Sequence, residues 1–438
     1  MQLRACVADP PWRRSLRSRA EVGDVLGFCF SSDFGRSNPQ WGTRMAGKFQ
    51  GTDFYDVDSL LSEEERMIRD TIREWVEERV MPLIGQAYIE RRFPKELIPE
   101  LGEMGMLGAN LPEEYGCAGL NNMAYGLIAQ ELERGDSGVR SFVSVQGALV
   151  MYPIFAFGSD EQKQEWLPKL ASAEKIGCFG LSEPDYGSNP AGMITTAKKV
   201  GDGWVLNGTK MWITNGSMAD VAIIWAQTGE IGDTKGIRGF VVPTDVDGFS
   251  ARDQKGKLSL LASDTSELHF EDIHLPDNAV LPVSGGLNSP LKCLTQARFG
   301  ITFGAVGAAM ACFDEARSYA KERVMFDGPI GGKQIQQIRL ADMLTNITQA
   351  QLLCIQLGRL KDAGTMTPQQ VSLAKRANVN MACDIAREAR RLLGANGILV
   401  EYNSMRHMAN LESVYTYEGT HDIHGLILGQ AVTGIAAY

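Results

Sequence analysis

Gly203-Trp204-Val205-Leu206-Asn207-Gly208-Thr209-Lys210-Met211-Trp212-Ile213-Thr214-Asn215 is the stretch at which the chain changes period. Trp204-Val205-Leu206 and Lys210-Met211-Trp212 flank Asn207-Gly208, a dipeptide that supplies positive φ at little cost. The spacing therefore predicts a hairpin turning at 207–208. Val221–Gln227, Ile237–Pro243 and Glu267–Leu275 also read as short strands, with Gly and Asp turns between them. Residues 174–285 thus form a small middle β domain.

Helical patterns lie on both sides. From residue 60 to about 170, Ser62-Glu63-Glu64-Glu65 is a capping box, with Ile68, Ile72, Trp75, Val76 and Val80 following on one face. Pro82 is expected to end that helix. Glu96–Met106, Met123–Arg134, Phe142–Phe157 and Glu161–Ala171 continue the pattern. After residue 286, Leu291–Arg323, Gln336–Asp362, Pro368–Leu393 and the final segment read as four long helices. The expectation is an α+β chain: an N-terminal helical domain (45–173), the middle β domain (174–285) and a C-terminal four-helix bundle (286–438). A bundle of this length commonly packs against copies of itself.

The bulk numbers exclude some functions. With 438 residues, 44% hydrophobic, the chain has material for a sizeable core. A net charge of −10 argues against a basic surface that tracks nucleic acid. The eight cysteines form no C-x-x-C pair or metal-finger spacing and read as reduced, buried thiols. His421-x-x-His424 has no third ligand nearby, so no metal is expected. No apolar run reaches the roughly 18 residues of a membrane helix; Phe299–Phe313, rich in Gly and Ala, suits a helix packed closely inside a protein. Residues 1–44 carry seven arginines, no lysine and four acids. They read as an unstructured extension ahead of a start at Met45-Ala46, with a cytoplasmic protein if bacterial. The alternative is a transit segment to the mitochondrial matrix.

Gly328-Pro329-Ile330-Gly331-Gly332-Lys333 imitates a phosphate loop, but Asp327 and Gln334 stand where Gly and Ser or Thr are needed. A better candidate is Phe179-Gly180-Leu181-Ser182-Glu183-Pro184 with Gly187-Ser188, followed by Trp212-Ile213-Thr214-Asn215. Apolar walls and clustered hydroxyls suit a flat aromatic cofactor with a phosphate tail. These segments stand in order with Arg323-x-x-Phe326…Gln334, Leu393-Gly394-Ala395-Asn396-Gly397 and Tyr417-Glu418-Gly419-Thr420. Together they resemble the acyl-CoA dehydrogenase family from about residue 55 to the end.

The resemblance implies an acyl-CoA dehydrogenase-like fold, a homotetramer, and FAD held between subunits. Phe179, Leu181, Ser182, Ser188, Trp212, Ile213 and Thr214 match positions lining flavin and pyrophosphate. Arg323, Phe326, Gln334 and Gly394 match those at the end of FAD that a neighbouring subunit completes, and Thr420 matches a further contact. Asp327 and Ala395 depart from family glycines at that end. An acyl-CoA substrate and an electron-transfer flavoprotein as acceptor are also implied.

The family's reaction removes an α-proton and a β-hydride from an acyl-CoA thioester, and Glu418 matches its base. Some relatives carry the base just before the arginine matching Arg298; here that position is Ala297. Gly419 and Tyr417 flank the base and match substrate contacts, as do Arg298 and Ser188. Arg140 would be costly in an apolar acyl slot unless it met an anion. It matches the residue that, in the glutaryl-CoA branch, holds the far carboxylate of the substrate; Glu133, Ser141 and Ser144 match its neighbours. The implied reaction is oxidation of glutaryl-CoA, with decarboxylation to crotonyl-CoA or a stop at the glutaconyl thioester. The alternative is a short-chain acyl-CoA dehydrogenase or oxidase with a neutral acyl pocket.

Overall fold

Ser62 opens the first long helix through a closed capping box: its hydroxyl accepts from Glu65 N at 3.1 Å, and Glu65 Oε2 accepts from Ser62 N at 2.8 Å. The computed structural model describes residues 52–437, so the expectation for residues 1–44 lies outside the described residues. Pro82 does not end the helix. A π turn, Val76–Val80, joins α1 (Glu63–Trp75) to α2 (Met81–Glu90). Pro82 falls in the first turn of α2, where its missing N–H is tolerated. Next come α3 (Ile98–Glu103), α4 (Asn122–Gly135), α5 (Ser137–Ser144), a second π turn at Val145–Met151, α6 (Tyr152–Phe157) and α7 (Asp160–Ala171).

The middle region is a seven-stranded sheet of β1 (Gly177–Gly180), β2 (Thr196–Val200), β3 (Gly203–Thr214), β4 (Val221–Gln227), β5 (Ile237–Pro243), β6 (Phe249–Asp253) and β7 (Thr265–Pro276). Strand order is β1-β4-β2-β3-β7-β6, with β5 on β4 and β1 parallel to β4. No hairpin turns at Asn207-Gly208. β3 runs straight through them, and the turn lies at Gly201-Asp202, between the paired Val200 and Gly203. Asn207-Gly208 instead forms a bulge against β7, where the register shifts between Leu206 and Gly208. Reciprocal bonds of 2.9 and 3.0 Å between Asn207 and Asp272 hold that bulge.

After the sheet come α8 (Asn288–Glu322), a hairpin of β8 (Val324–Met325) and β9 (Gly328–Pro329), α9 (Gln334–Asp362), α10 (Pro368–Leu392), α11 (Ser404–Thr416) and α12 (His421–Thr433). Among the described residues the helical C-terminal region is as expected, with the final segment divided into two helices of 13 residues. The break falls at Tyr417–Thr420, where Glu418 has φ +53° and Gly419 φ +94°.

α8 runs through the core against α4. A Cβ at Gly304 would lie 2.0 Å from Glu133 Oε2, so glycine is needed for α4 to bring that carboxylate so near. Phe299 and Phe303 are wholly buried, each worth about 1.5–3 kcal/mol of transfer free energy. By mean hydropathy Ser137–Phe157 and Asn288–Glu322 are long and apolar enough to cross a membrane, although neither is an unbroken apolar run. In each, 83% of the most apolar window is buried inside the protein, as befits core helices.

Candidate active site

The end of β1 and the end of β3 are tied together. Met211 N donates to Ser182 O at 2.9 Å, which sets Phe179–Ser182 beside Trp212–Thr214. Beneath them Lys210, fully buried, donates to Leu181 O at 3.0 Å and to Glu183 Oε1 at 2.9 Å. Glu183 also accepts from Ile194 N and Thr195 N at 2.7 and 3.0 Å. Burial pushes the Lys210 ammonium down to about 8 against the pull of Glu183. Burial opposes the Glu183 charge too, but Lys210 and the backbone donors outweigh it and hold that carboxyl below the usual range. Phe179, Leu181 and Ile213 are buried, whereas the Trp212 side chain is 61% exposed. Ser182 and Thr214 are half-buried, and Ser188 lies exposed in the loop beyond Pro184.

Arg323, Phe326 and Gln334 surround the β8–β9 hairpin and face outward. Phe326 is 95% exposed, and its φ is +59°. Gly394 is exposed in the turn after α10. No hydrogen bond among the described residues joins these four to the β1–β3 corner. Asp327, at a departing position, pairs with Lys333.

Arg140 is brought together with Glu133, Ser141 and Tyr417. Its Nε donates to Glu133 Oε2 at 2.6 Å, Nη2 donates to the Tyr417 hydroxyl, and the guanidinium carbon lies 5.5 Å from the centre of the Tyr417 ring. Ser137 Oγ donates to the other Glu133 oxygen at 2.8 Å, and Ser141 Oγ lies 3.5 Å from the Tyr417 hydroxyl. Burial works against the arginine's charge, yet Glu133, Tyr417 and Glu418 outweigh it and hold its pKa above the ordinary value. Arg140 and Ser144 also line a small cleft with Tyr125, Ile128 and Val143. There the buried Tyr125 hydroxyl and Ser144 Oγ make no geometrically complete hydrogen bond.

Glu418 sits in the break between α11 and α12, with Oε2 buried and unpartnered. Burial raises its pKa, opposed by Arg140, Lys375 and Arg298. Arg298 Nε donates to the Glu418 carbonyl at 2.6 Å, and Lys375 Nζ donates to the carbonyls of Tyr417 and Gly419. A Cβ on Gly419 would come within 3.0 Å of His424 Nε2 and 3.1 Å of Arg298 Nη2. Thr420 caps α12, its hydroxyl accepting from Ile423 N at 3.1 Å. The two histidines of this helix diverge: His421 stacks on Tyr415 at 4.3 Å, and His424 Nδ1 meets Ser372 Oγ at 3.0 Å. Among the described residues no group of three or more His, Cys, Asp or Glu could hold a metal ion.

Family models for the acyl-CoA dehydrogenase N-terminal, middle and C-terminal domains match residues 62–174, 178–273 and 284–433. The chain belongs to the acyl-CoA dehydrogenase family. A mitochondrial short-chain specific acyl-CoA dehydrogenase of Bos taurus is 37% identical over 84% of this chain and 90% of its own. A crystal structure of glutaryl-CoA dehydrogenase from Mycobacterium smegmatis superposes with a TM-score of 0.84 at 57% identity, covering 87% of this chain and 97% of that one. Another from the same organism, in complex with FADH2, gives 0.85 at 52% identity over 88% and 98%.

The cofactor of this acyl-CoA dehydrogenase is FAD. The β1–β3 corner suits it: an exposed indole and buried apolar side chains border Ser182 and Thr214, whose hydroxyls make no hydrogen bond among the described residues. Among the described residues, three of the nine non-glycine residues with positive φ are Trp212, Phe326 and Glu418. Backbone strain thus falls on candidate site residues of this acyl-CoA dehydrogenase. Lys375, Tyr125 and the Lys210–Glu183 pair escaped the sequence reading. Lys375 alone left a signal there: a lysine in the apolar stripe of α10, between Val371 and Val379.

Proposed function

We propose that the protein is a glutaryl-CoA dehydrogenase that oxidises glutaryl-CoA and releases CO2 to give crotonyl-CoA. The observation that carries this reading is Arg140, a guanidinium 1% exposed at the acyl site and hydrogen-bonded to a tyrosine that precedes Glu418. An apolar acyl tail gives such a group nothing; a carboxylate gives it an opposite charge and hydrogen bonds. The higher identity to the mycobacterial glutaryl-CoA dehydrogenases supports the same reading.

Glu418 takes the α-proton in this scheme. A desolvated carboxylate is a stronger base than a solvated one, and the unpartnered Oε2 is free to receive the proton. FAD, when bound, accepts the β-hydride. Phe179, Leu181, Ser182, Trp212, Ile213 and Thr214 hold it, with Ser188 and Thr420. Arg323, Phe326, Gln334 and Gly394 serve a neighbouring subunit of a tetramer. Arg140, with Ser141, Ser144 and Glu133, orients the far carboxylate; Tyr417, Gly419 and Arg298 shape the site around Glu418. Loss of the far carboxyl as CO2 then leaves its bonding pair in the conjugated thioester, and protonated Glu418 returns a proton to give crotonyl-CoA. Electrons leave to an electron-transfer flavoprotein.

A second reading, a short-chain acyl-CoA dehydrogenase or oxidase, draws on one observation: Glu133 itself offers Arg140 an opposite charge. The test is to add glutaryl-CoA and, separately, butyryl-CoA to the yellow holoenzyme. Bleaching with CO2 release on glutaryl-CoA is the expected result. Bleaching on butyryl-CoA alone would overturn the proposal.

A further inference from the structure

Three consecutive carbonyls, those of Tyr417, Glu418 and Gly419, point at two buried cations. Lys375 Nζ, on α10, donates to the first and to the third at 2.7 Å, while Arg298 Nε, on α8, donates to the second at 2.6 Å. Lys375 is 2% exposed, so both of its bonds form away from water, where charge-assisted hydrogen bonds are at their strongest. The residue they bracket carries a left-handed backbone, φ +53°, which a glutamate adopts only when its surroundings over-determine it. Relaxation of that φ would swing the carboxylate away from its present site.

We infer that Lys375 is a positioning residue for Glu418: with Arg298 it clamps the turn Tyr417–Gly419 and fixes where the carboxylate points. The inference rests on the reading of Glu418 as the base. It goes further, because the ammonium also acts on the carboxylate through space. The charged and titratable groups facing Lys375 are Glu418, Arg298, Arg140, His421 and His424, with the Tyr417 ring 5.7 Å from Nζ. Burial lowers the Lys375 pKa to about 7, Glu418 works against that, and Arg298 and Arg140 add to it. His424, driven by burial to about 3, is neutral and adds no charge. Glu418 is the only carboxylate in the group, so it is the one that Lys375 helps to ionise.

A lysine that merely caps the end of α11 would affect stability and leave the titration of the base alone. The two roles separate in Lys375→Met holoenzyme. The expected result is a kcat lower by about a hundredfold at neutral pH, the scale on which a misplaced catalytic group is felt. The acid limb of the kcat–pH profile should move about one pH unit or more toward alkaline, because a cation that favoured the carboxylate is gone. FAD content and KM should stay within about threefold of the parent, well inside a tenfold change worth 1.4 kcal/mol. Lys375→Arg, which keeps the charge, should leave the acid limb in place. Should the methionine variant not fold, Lys375→Gln makes the same comparison with one donor and no charge. An unmoved acid limb in the neutral variant overturns the inference. Glu418→Gln run in parallel keeps the two readings apart: if it still turns over, the base assignment falls whatever Lys375 does.

Discussion

Glu133 Oε2 and Arg140 Nε lie 2.6 Å apart with both side chains at most 1% exposed, so the chain supplies a counter-ion to the arginine proposed to select substrate. Glu133 comes from α4 and Arg140 from α5, across the sharp turn capped by Asp136. This pair makes the site dry and charged at once. A dicarboxylyl tail would share the guanidinium with Glu133, whereas a methyl end would leave the Tyr417 side of Arg140 without an anion.

Replacing the arginine should therefore reverse the order of substrates. Arg140→Ala is expected to lose at least about a hundredfold in kcat/KM for glutaryl-CoA relative to butyryl-CoA, since a broken buried pair costs on the order of 3–5 kcal/mol. Because Glu133 would then be left buried without its partner, Glu133→Gln with Arg140→Met is the companion variant that keeps the volume. The measurement is kcat/KM for both acyl-CoAs in each protein. If the two substrates fall together, Arg140 does not set specificity.

Glu418→Gln should retain FAD and bind substrate, with turnover down by roughly 10²–10⁴. In the parent, the base works only when ionised, and burial raises its pKa above the ordinary 4.5. Activity should consequently climb as pH rises through that raised value and fall away below it. Stopped-flow bleaching across the pH range measures the limb; near-parental bleaching in the glutamine variant would reassign the base.

Most of this architecture was legible because long apolar periods survive every local surprise. α4 and α8 are long, mostly buried helices, and their close contact through Gly304 interrupts neither of them. What misled was punctuation whose meaning tertiary contacts decide. Pro82 reads as a stop, yet the π turn before it makes position 82 a helix start. Asn207-Gly208 reads as a turn, but Asp272 across the sheet claims Asn207 and makes the pair a bulge. Around the site, the motif residues at 133–144 and 417–420 were readable in the sequence; their clamp was not. Lys375 stands more than 40 positions before Gly419, and only the packing of α10 against α12 shows that its charge ends on those carbonyls.

Glu131 and Arg73 tie α4 to α1 through two hydrogen bonds of 2.9 Å each, both side chains buried. Burial opposes the carboxylate, but Arg73 prevails and lowers its pKa from 4.5 to about 2. A depressed carboxyl stabilises the fold above its unfolded value and loses that contribution as pH falls toward the folded one. Thermal stability should decline between about pH 4.5 and 2, in part through this group. Glu131→Gln removes a buried charge that is paired with Arg73 and should cost on the order of 3–5 kcal/mol at neutral pH. Its Tm should also depend less steeply on acid. Scanning calorimetry at pH 7 and pH 4 checks both, and an unchanged Tm would show the pair to be replaceable.

Phe326 is the most exposed large apolar side chain among the described residues, and its strained backbone holds it outward at the tip of the β8–β9 hairpin. Val324 and Met325 beside it are 61% and 46% exposed, and Ile335 and Ile338 at the start of α9 are 58% and 62%. An apolar patch of this kind, at positions proposed to serve a neighbour's FAD, is reason to expect that a second copy covers it. Phe326→Ser removes the ring without disturbing the core, since nothing in the described chain packs over it. The variant should fold with an unchanged far-UV spectrum, yet release FAD more readily and run smaller than the parent in light scattering coupled to sizing. Release should worsen on dilution, because a site completed by a partner depends on protomer concentration. A variant that matches the parent in size and keeps full flavin at low concentration would place that end of the cofactor elsewhere. The outward pose of Phe326 would then be a feature of the hairpin alone.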